Sequence, residues 1–155
     1  MTKKRILITL IVGVAIAIGV VLYMFNKPAR DVQATDTDFT FNSSEIVNEY
    51  LSNAKKANEK YLDENGNSKI LEITGTVAQI DEDFNNNKVI LLKNATDKAG
   101  VSATFTTETN ANASKVKIGD KITIKGVIQS GATYDADLEM YENVIIDKSD
   151  IITKN

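Results

Sequence analysis

The longest apolar run stands at the front of the chain. Ile6 to Phe25 are twenty residues without a charge, preceded by Lys3, Lys4 and Arg5. As a helix rising about 1.5 Å per residue, this run would be roughly 30 Å long, the hydrocarbon thickness of a bilayer. Residues 26–41 then mix Pro, Asp, Thr and Asn without periodicity, which predicts a short tether. A helix is predicted over 43–62. Asn42 and Glu45 have capping-box spacing, Phe41 can staple onto Ile46, and Ile46, Val47, Tyr50, Leu51, Ala54, Ala57 and Tyr61 recur at helical spacing. The Asp63-Glu-Asn-Gly-Asn67 segment ends it.

Beyond this point the period changes from 3.6 to 2. Leu71, Ile73, Gly75 and Val77 alternate with polar residues, and the acidic turn 81–87 leads to a second strand at 88–93, predicting a hairpin. Further strands are predicted at 101–107, 121–128 and 142–152. The polar stretch 109–114 between the third and fourth is long enough for a helical turn, and 130–137 reads as a loop. Two strands share a pattern, Ile73-Thr-Gly-Thr-Val77 and Ile124-Lys-Gly-Val-Ile128. A glycine inside a strand marks a bulge or a sharp bend such as a barrel corner. Five short strands with glycine bends in the first and fourth predict an all-β domain with one N-terminal amphipathic helix, closed as an OB-type barrel. The predicted organisation is a basic segment at 1–5, a single transmembrane helix at 6–25, a tether at 26–41 and one domain at 42–155.

The apolar run is longer than the 7–15-residue core of a cleaved signal. The nearest small-residue cleavage site, Val32-Gln33-Ala34, lies well beyond it, past Lys27, Pro28 and Arg30. A retained signal-anchor is therefore expected, with secretion after cleavage as the alternative. Basic residues ahead of the span place the N-terminus inside and the domain outside, with Lys27 and Arg30 working against that orientation. Gly13 with Ala17 and Ala15 with Gly19 have the small-xxx-small spacing that permits self-association.

Charge and composition then narrow the function. The first thirty residues hold five of the 18 cations and none of the 21 acids, so 13 cations face 21 acids in the remainder, a net charge of −8. Such a domain lacks the general positive field that draws nucleic acid. The chain has no Cys, His or Trp. Disulfides, anchoring through a lipidated cysteine, Cys or His zinc sites, and Ser-His or Cys-His nucleophile pairs are excluded.

The helix carrying Asn53-Ala-Lys-Lys-Ala-Asn58, the Ile73-Thr-Gly-Thr-Val77 strand and Val116-Lys-Ile-Gly-Asp-Lys-Ile-Thr-Ile-Lys-Gly126 resemble, in this order, the bacterial tRNA_anti-like OB-fold family. The resemblance covers residues 43–153. It implies a small barrel behind a hydrophobic N-terminal segment and carries no catalytic residues. Many members have a cysteine where this chain has Ser130-Gly131-Ala132, so no role of that residue transfers. The expected location is a bacterial cytoplasmic membrane, single pass, with the alternative of a periplasmic or secreted domain.

In OB folds the loops after the first and fourth strands flank the usual binding face. Here these loops carry Asp81, Asp83 and Phe84, and Tyr134, Asp135 and Asp137, with Tyr141 and Glu139 close behind. Such residues suit a cationic ligand, a basic protein segment or a sugar. Asp81, Asp83 and Asn85 open like a calcium loop, but Asn86 and Leu92 stand where an EF-hand needs Gly and Glu, so no metal or other cofactor is expected. Three glycosylation-type triplets, at Asn42, Asn94 and Asn112, fit chance in so Asn-rich a chain. The leading expectation is a non-catalytic binding module for an envelope protein or small ligand. A nucleic-acid reading requires Lys88, Lys93, Lys121 and Lys125 to converge beside exposed aromatics. A carboxylate-dependent enzyme requires two acids facing each other in a pocket.

Overall fold

The computed structural model describes residues 3–26 and 30–152 and divides the chain into two units, Met1–Arg30 and Asp31–Asn155. Lys27 and Pro28, which bear on the cleavage argument, lie outside the described residues. In the first unit α1 runs Lys3–Asn26. From Ile8 to Asn26 it is long and apolar enough to cross a bilayer, with a mean hydropathy of 2.7. Its described apolar residues stand on every side of the helix rather than along one stripe.

In the second unit the elements run β1 (Phe39–Asn42), α2 (Ser43–Ser52), α3 (Ala54–Tyr61), β2 (Ile70–Glu82), β3 (Lys88–Leu92), β4 (Val101–Phe105), α4 (Asn110–Ala113), β5 (Lys121–Ser130), β6 (Thr133–Asp135), β7 (Met140–Glu142) and β8 (Val144–Ile151). Strand β2 pairs with both β3 and β5, so β2-β3-β4-β8-β5 closes into an OB-type barrel whose one parallel junction is β4 with β8. Alternation fills it. Ile73, Ile90, Ala103, Ile124 and Ile146 point inward and are fully buried, each large aliphatic contributing about 1.5–3 kcal/mol. The expected strand glycines mark close approaches. A Cβ on Gly75 would lie 2.7 Å from Ser43 Oγ and 3.0 Å from Leu92 Cβ. A Cβ on Gly126 would overlap Ile146 and lie 2.8 Å from Asp147 O, at the bulge where the β5–β8 register shifts.

The predicted single helix over 43–62 is instead two. Asn53 ends the first with its N–H on Glu49 O at 3.2 Å, and starts the second by accepting the Lys56 N–H at 3.1 Å. The break lets Ile46, Val47 and Tyr50 of α2 and Ala57 and Tyr61 of α3 enter the same core cluster. Between the two helices, the Tyr61 hydroxyl donates to Glu49 at 2.8 Å, and Lys60 reaches the same carboxylate at 3.0 Å. Partial burial pushes the Glu49 carboxyl up, but those two partners outweigh it and hold it below the usual 4.5. Lys60 also lies 5.2 Å above the Phe39 ring and 4.7 Å above that of Tyr61.

Residues 31–41, expected to be tether, are part of the folded domain. Val32 is buried with Ile70 and Val127. The Gln33 amide donates to Lys125 O at 3.0 Å and Lys148 O at 2.8 Å, and Asp38 exchanges hydrogen bonds with the backbone of Ile70. Strand β1 then lies parallel to β2, from Phe39 beside Leu71 to Asn42 beside Thr74. The reason lies in the barrel. The first half of β2 has β5 on one edge, and without β1 its other edge would be unpaired. A further correction concerns the predicted loop 130–137: it contains β6, which forms a separate two-stranded hairpin with β7, too short for a period to register in the sequence.

Candidate ligand-binding groove

The β2–β3 turn is closed by its own carboxylate. Asp83 accepts the backbone N–H of Asn85 at 2.8 Å and of Asn87 at 2.9 Å, and the Asn87 N–H above all holds its carboxyl below the usual range. Asp81 accepts from the Gln79 amide, and Phe84 stands fully exposed at the tip. Among the described residues no group of three or more acids is placed to hold a metal ion.

The β6–β7 hairpin has the same economy at its turn, where Asp135 accepts the N–H groups of Asp137 at 2.8 Å and Leu138 at 3.0 Å. Its strands pair Tyr134 with Tyr141, whose ring centroids are 4.9 Å apart, and the Lys98 ammonium sits 5.5 Å over the Tyr141 ring. Tyr134 is half exposed. Of the seven residues singled out from the sequence, the hairpin gathers Tyr134, Asp135, Asp137 and Tyr141. Asp81, Asp83 and Phe84 belong to the other loop, and no hydrogen bond or ring contact joins the two sets.

Between the helices and this hairpin runs a groove that the sequence did not announce. One lobe, of about 300 Å³, is lined by Tyr50, Leu51, Ala54, Lys98, Ala132, Thr133 and the tyrosine pair. The other, of about 320 Å³, shares Tyr50, Ala54, Ala132 and Thr133 and adds Asn58, Leu62, Gly131 and Glu142. Helix spacing had marked Tyr50 only as core. Its ring is buried against Gly131, its hydroxyl has no hydrogen-bond partner among the described residues, and burial, with Tyr61 and Glu49 nearby, pushes it up to about 12.

The barrel's outer sheet is a different surface. Register puts Gln79, Asp81, Val89, Leu91, Ser102, Thr104 and Ile145 side by side on it, with no cation and no aromatic ring. Lys88 and Lys125 stand apart, while Lys93 and Lys121 flank Thr76 of β2 from its two sides. Lys88 pairs with Glu82, while Lys125 lies beside Glu72, ten residues away along β2, and donates to Gln33 O. Lys93 donates to Lys98 O, and Lys121 lines a polar groove of about 380 Å³ at the start of α2. Each of these grooves carries at most one carboxylate, Glu142 or Glu45.

Comparison with curated proteins gives no match. A solved structure from Klebsiella pneumoniae subsp. pneumoniae MGH 78578, described as a "putative nucleic acid-binding lipoprotein", superposes with a TM-score of 0.55 at 14% identity. The match covers 82% of this chain and 100% of that one, a likeness of fold. The sequence profile of the tRNA_anti-like family matches residues 1–137. With the closed barrel behind an apolar helix, that match gives the chain its place: it belongs to the tRNA_anti-like family of OB-fold proteins.

Proposed function

We propose that this protein is a single-pass, membrane-anchored binding module, non-catalytic, that takes an envelope protein or small ligand in the groove between α2–α3 and the β6–β7 hairpin. One observation carries the reading: the half-exposed Tyr134 and the partly buried Tyr141 border that groove, whereas the seven residues set side by side on β2, β3, β4 and β8 include neither ring nor cation. Stacking surfaces beside a concave, largely apolar wall are where ligands bind. Retention of the anchor is supported by Val32 and Gln33, since cleavage after Ala34 would remove two residues that the domain uses. Lys3, Lys4 and Arg5 ahead of the span support an inside N-terminus and an outside domain.

A nucleic-acid reading draws on the description of the Klebsiella neighbour. Against it stand the net charge of −8 and the separate partners that hold Lys88, Lys93 and Lys125. A photo-crosslinking residue placed at position 134, and in a second strain at position 104, separates the two in intact cells. Protein or saccharide adducts from 134, lost on Tyr141→Ala, support the groove. Oligonucleotide adducts from 104 would establish the other reading.

A further inference from the structure

Resting on that reading of the groove, we infer that its occupant is a short extended peptide rich in basic residues, which adds as a third strand to the free edge of β6. Residues 130–134 line the groove together with Tyr141 and Glu142, and among the described residues β6 pairs only with β7, which leaves its other edge without a strand partner. The opposite wall is helical and mainly apolar, with Tyr50, Leu51, Ala54 and Leu62. A strand edge opposite an apolar helix face is the arrangement in which main-chain hydrogen bonds provide affinity and alternate side chains drop into pockets. Three residues of β6 offer about 10 Å of edge, and the two lobes extend it.

Charge selects the sequence of the peptide. The hairpin 133–142 carries Asp135, Asp137, Glu139 and Glu142 and no cation. The Asp135 carboxylate accepts the N–H groups of its own turn, with no cation paired to it among the described residues. Among the described residues Lys98 is the one cation lining either lobe, and it lies over Tyr141. A strand laid on β6 therefore sits in a negative local potential, and lysine or arginine on its outward positions complements it.

The test titrates the full-length, 15N-labelled protein in detergent micelles with an acetylated and amidated hexapeptide of alternating valine and lysine. Expected are amide shifts at 131–135 and slowed hydrogen exchange along β6. Binding falls by about tenfold or more when alternate backbone amides of the probe are methylated, when glutamate replaces its lysines, or when Ala54→Trp fills the groove. Ala54 is exposed on α3, so that variant leaves the core in place, and its circular dichroism confirms the fold. No shift at 131–135, or shifts confined to the outer face of β3 and β4, overturns the inference. If the methylated peptide binds equally well and still perturbs Tyr134 and Tyr141, strand addition fails while the groove stands as a binding site. If neither peptide perturbs the groove and crosslinks from position 134 are also missing, both readings fail.

Discussion

The ring of Tyr50 occupies the space in which a side chain at position 131 would begin. A Cβ built on Gly131 would lie 2.5 Å from Tyr50 Cζ and closer still to Cδ1 and Cε1. The helix layer and the loop after β5 thus meet through one glycine, and the floor of the groove is that contact.

Gly131→Ala therefore has to displace a buried aromatic ring on a fixed backbone. The expected loss of stability is about 1–3 kcal/mol, read from urea unfolding. The groove should change with it, through shifted resonances of Tyr134 and Tyr141. A variant as stable as the parent would show that the Tyr50 ring does not rest on Gly131.

The Tyr50 phenol provides a pH signature. Burial raises it from 10.0 to about 12 in the folded state, so the folded form binds its proton more tightly than the unfolded one. That contribution is complete below pH 10 and is lost as the pH rises toward 12. Stability should fall across that window by at most about 1.4 kcal/mol per pH unit from this group. Tyr50→Phe should flatten the alkaline arm of a thermal-melt series, and an unchanged slope would assign the loss to other groups.

Gln33→Ala removes two hydrogen bonds, to Lys125 O and Lys148 O, in a partly buried setting. A destabilisation of about 1–2 kcal/mol is expected by chemical denaturation. A domain beginning at Thr35, the product of cleavage after Ala34, should lose more, because Val32 also leaves its contact with Ile70 and Val127.

The absence of cysteine makes topology directly testable. With Asp137→Cys in intact cells whose outer barrier is opened, a membrane-impermeant maleimide should label the protein at the exposed hairpin tip. With Lys4→Cys, labelling should need lysis. The reverse pattern would place the domain inside.

The tyrosines of the candidate site were visible in the sequence because an aromatic in a polar loop has few structural duties there. The acids beside them were visible too, but their work was not. Asp83 and Asp135 close their own turns, a use that depends on the backbone path of the loop rather than on the residues present. Tyr50 was hidden for the opposite reason. At helical spacing it looks like any core residue, and only the approach of Gly131, eighty-one residues later, puts its ring under a groove.

By itself the sequence determined the apolar N-terminal helix, the amphipathic segment after Asn42, the five barrel strands and the glycines at their close approaches. Each of these repeats a burial pattern over a window long enough to read, or places the smallest residue where two backbones crowd. Tertiary structure alone decided the break at Asn53, the docking of residues 31–42, the β6–β7 hairpin and the groove. These depend on contacts between residues far apart in the chain, such as Gln33 with Lys148, and on edges that exist only once the barrel has closed. A local pattern reports which side of an element is buried, whereas the partner that buries it is chosen by the packing of the whole domain.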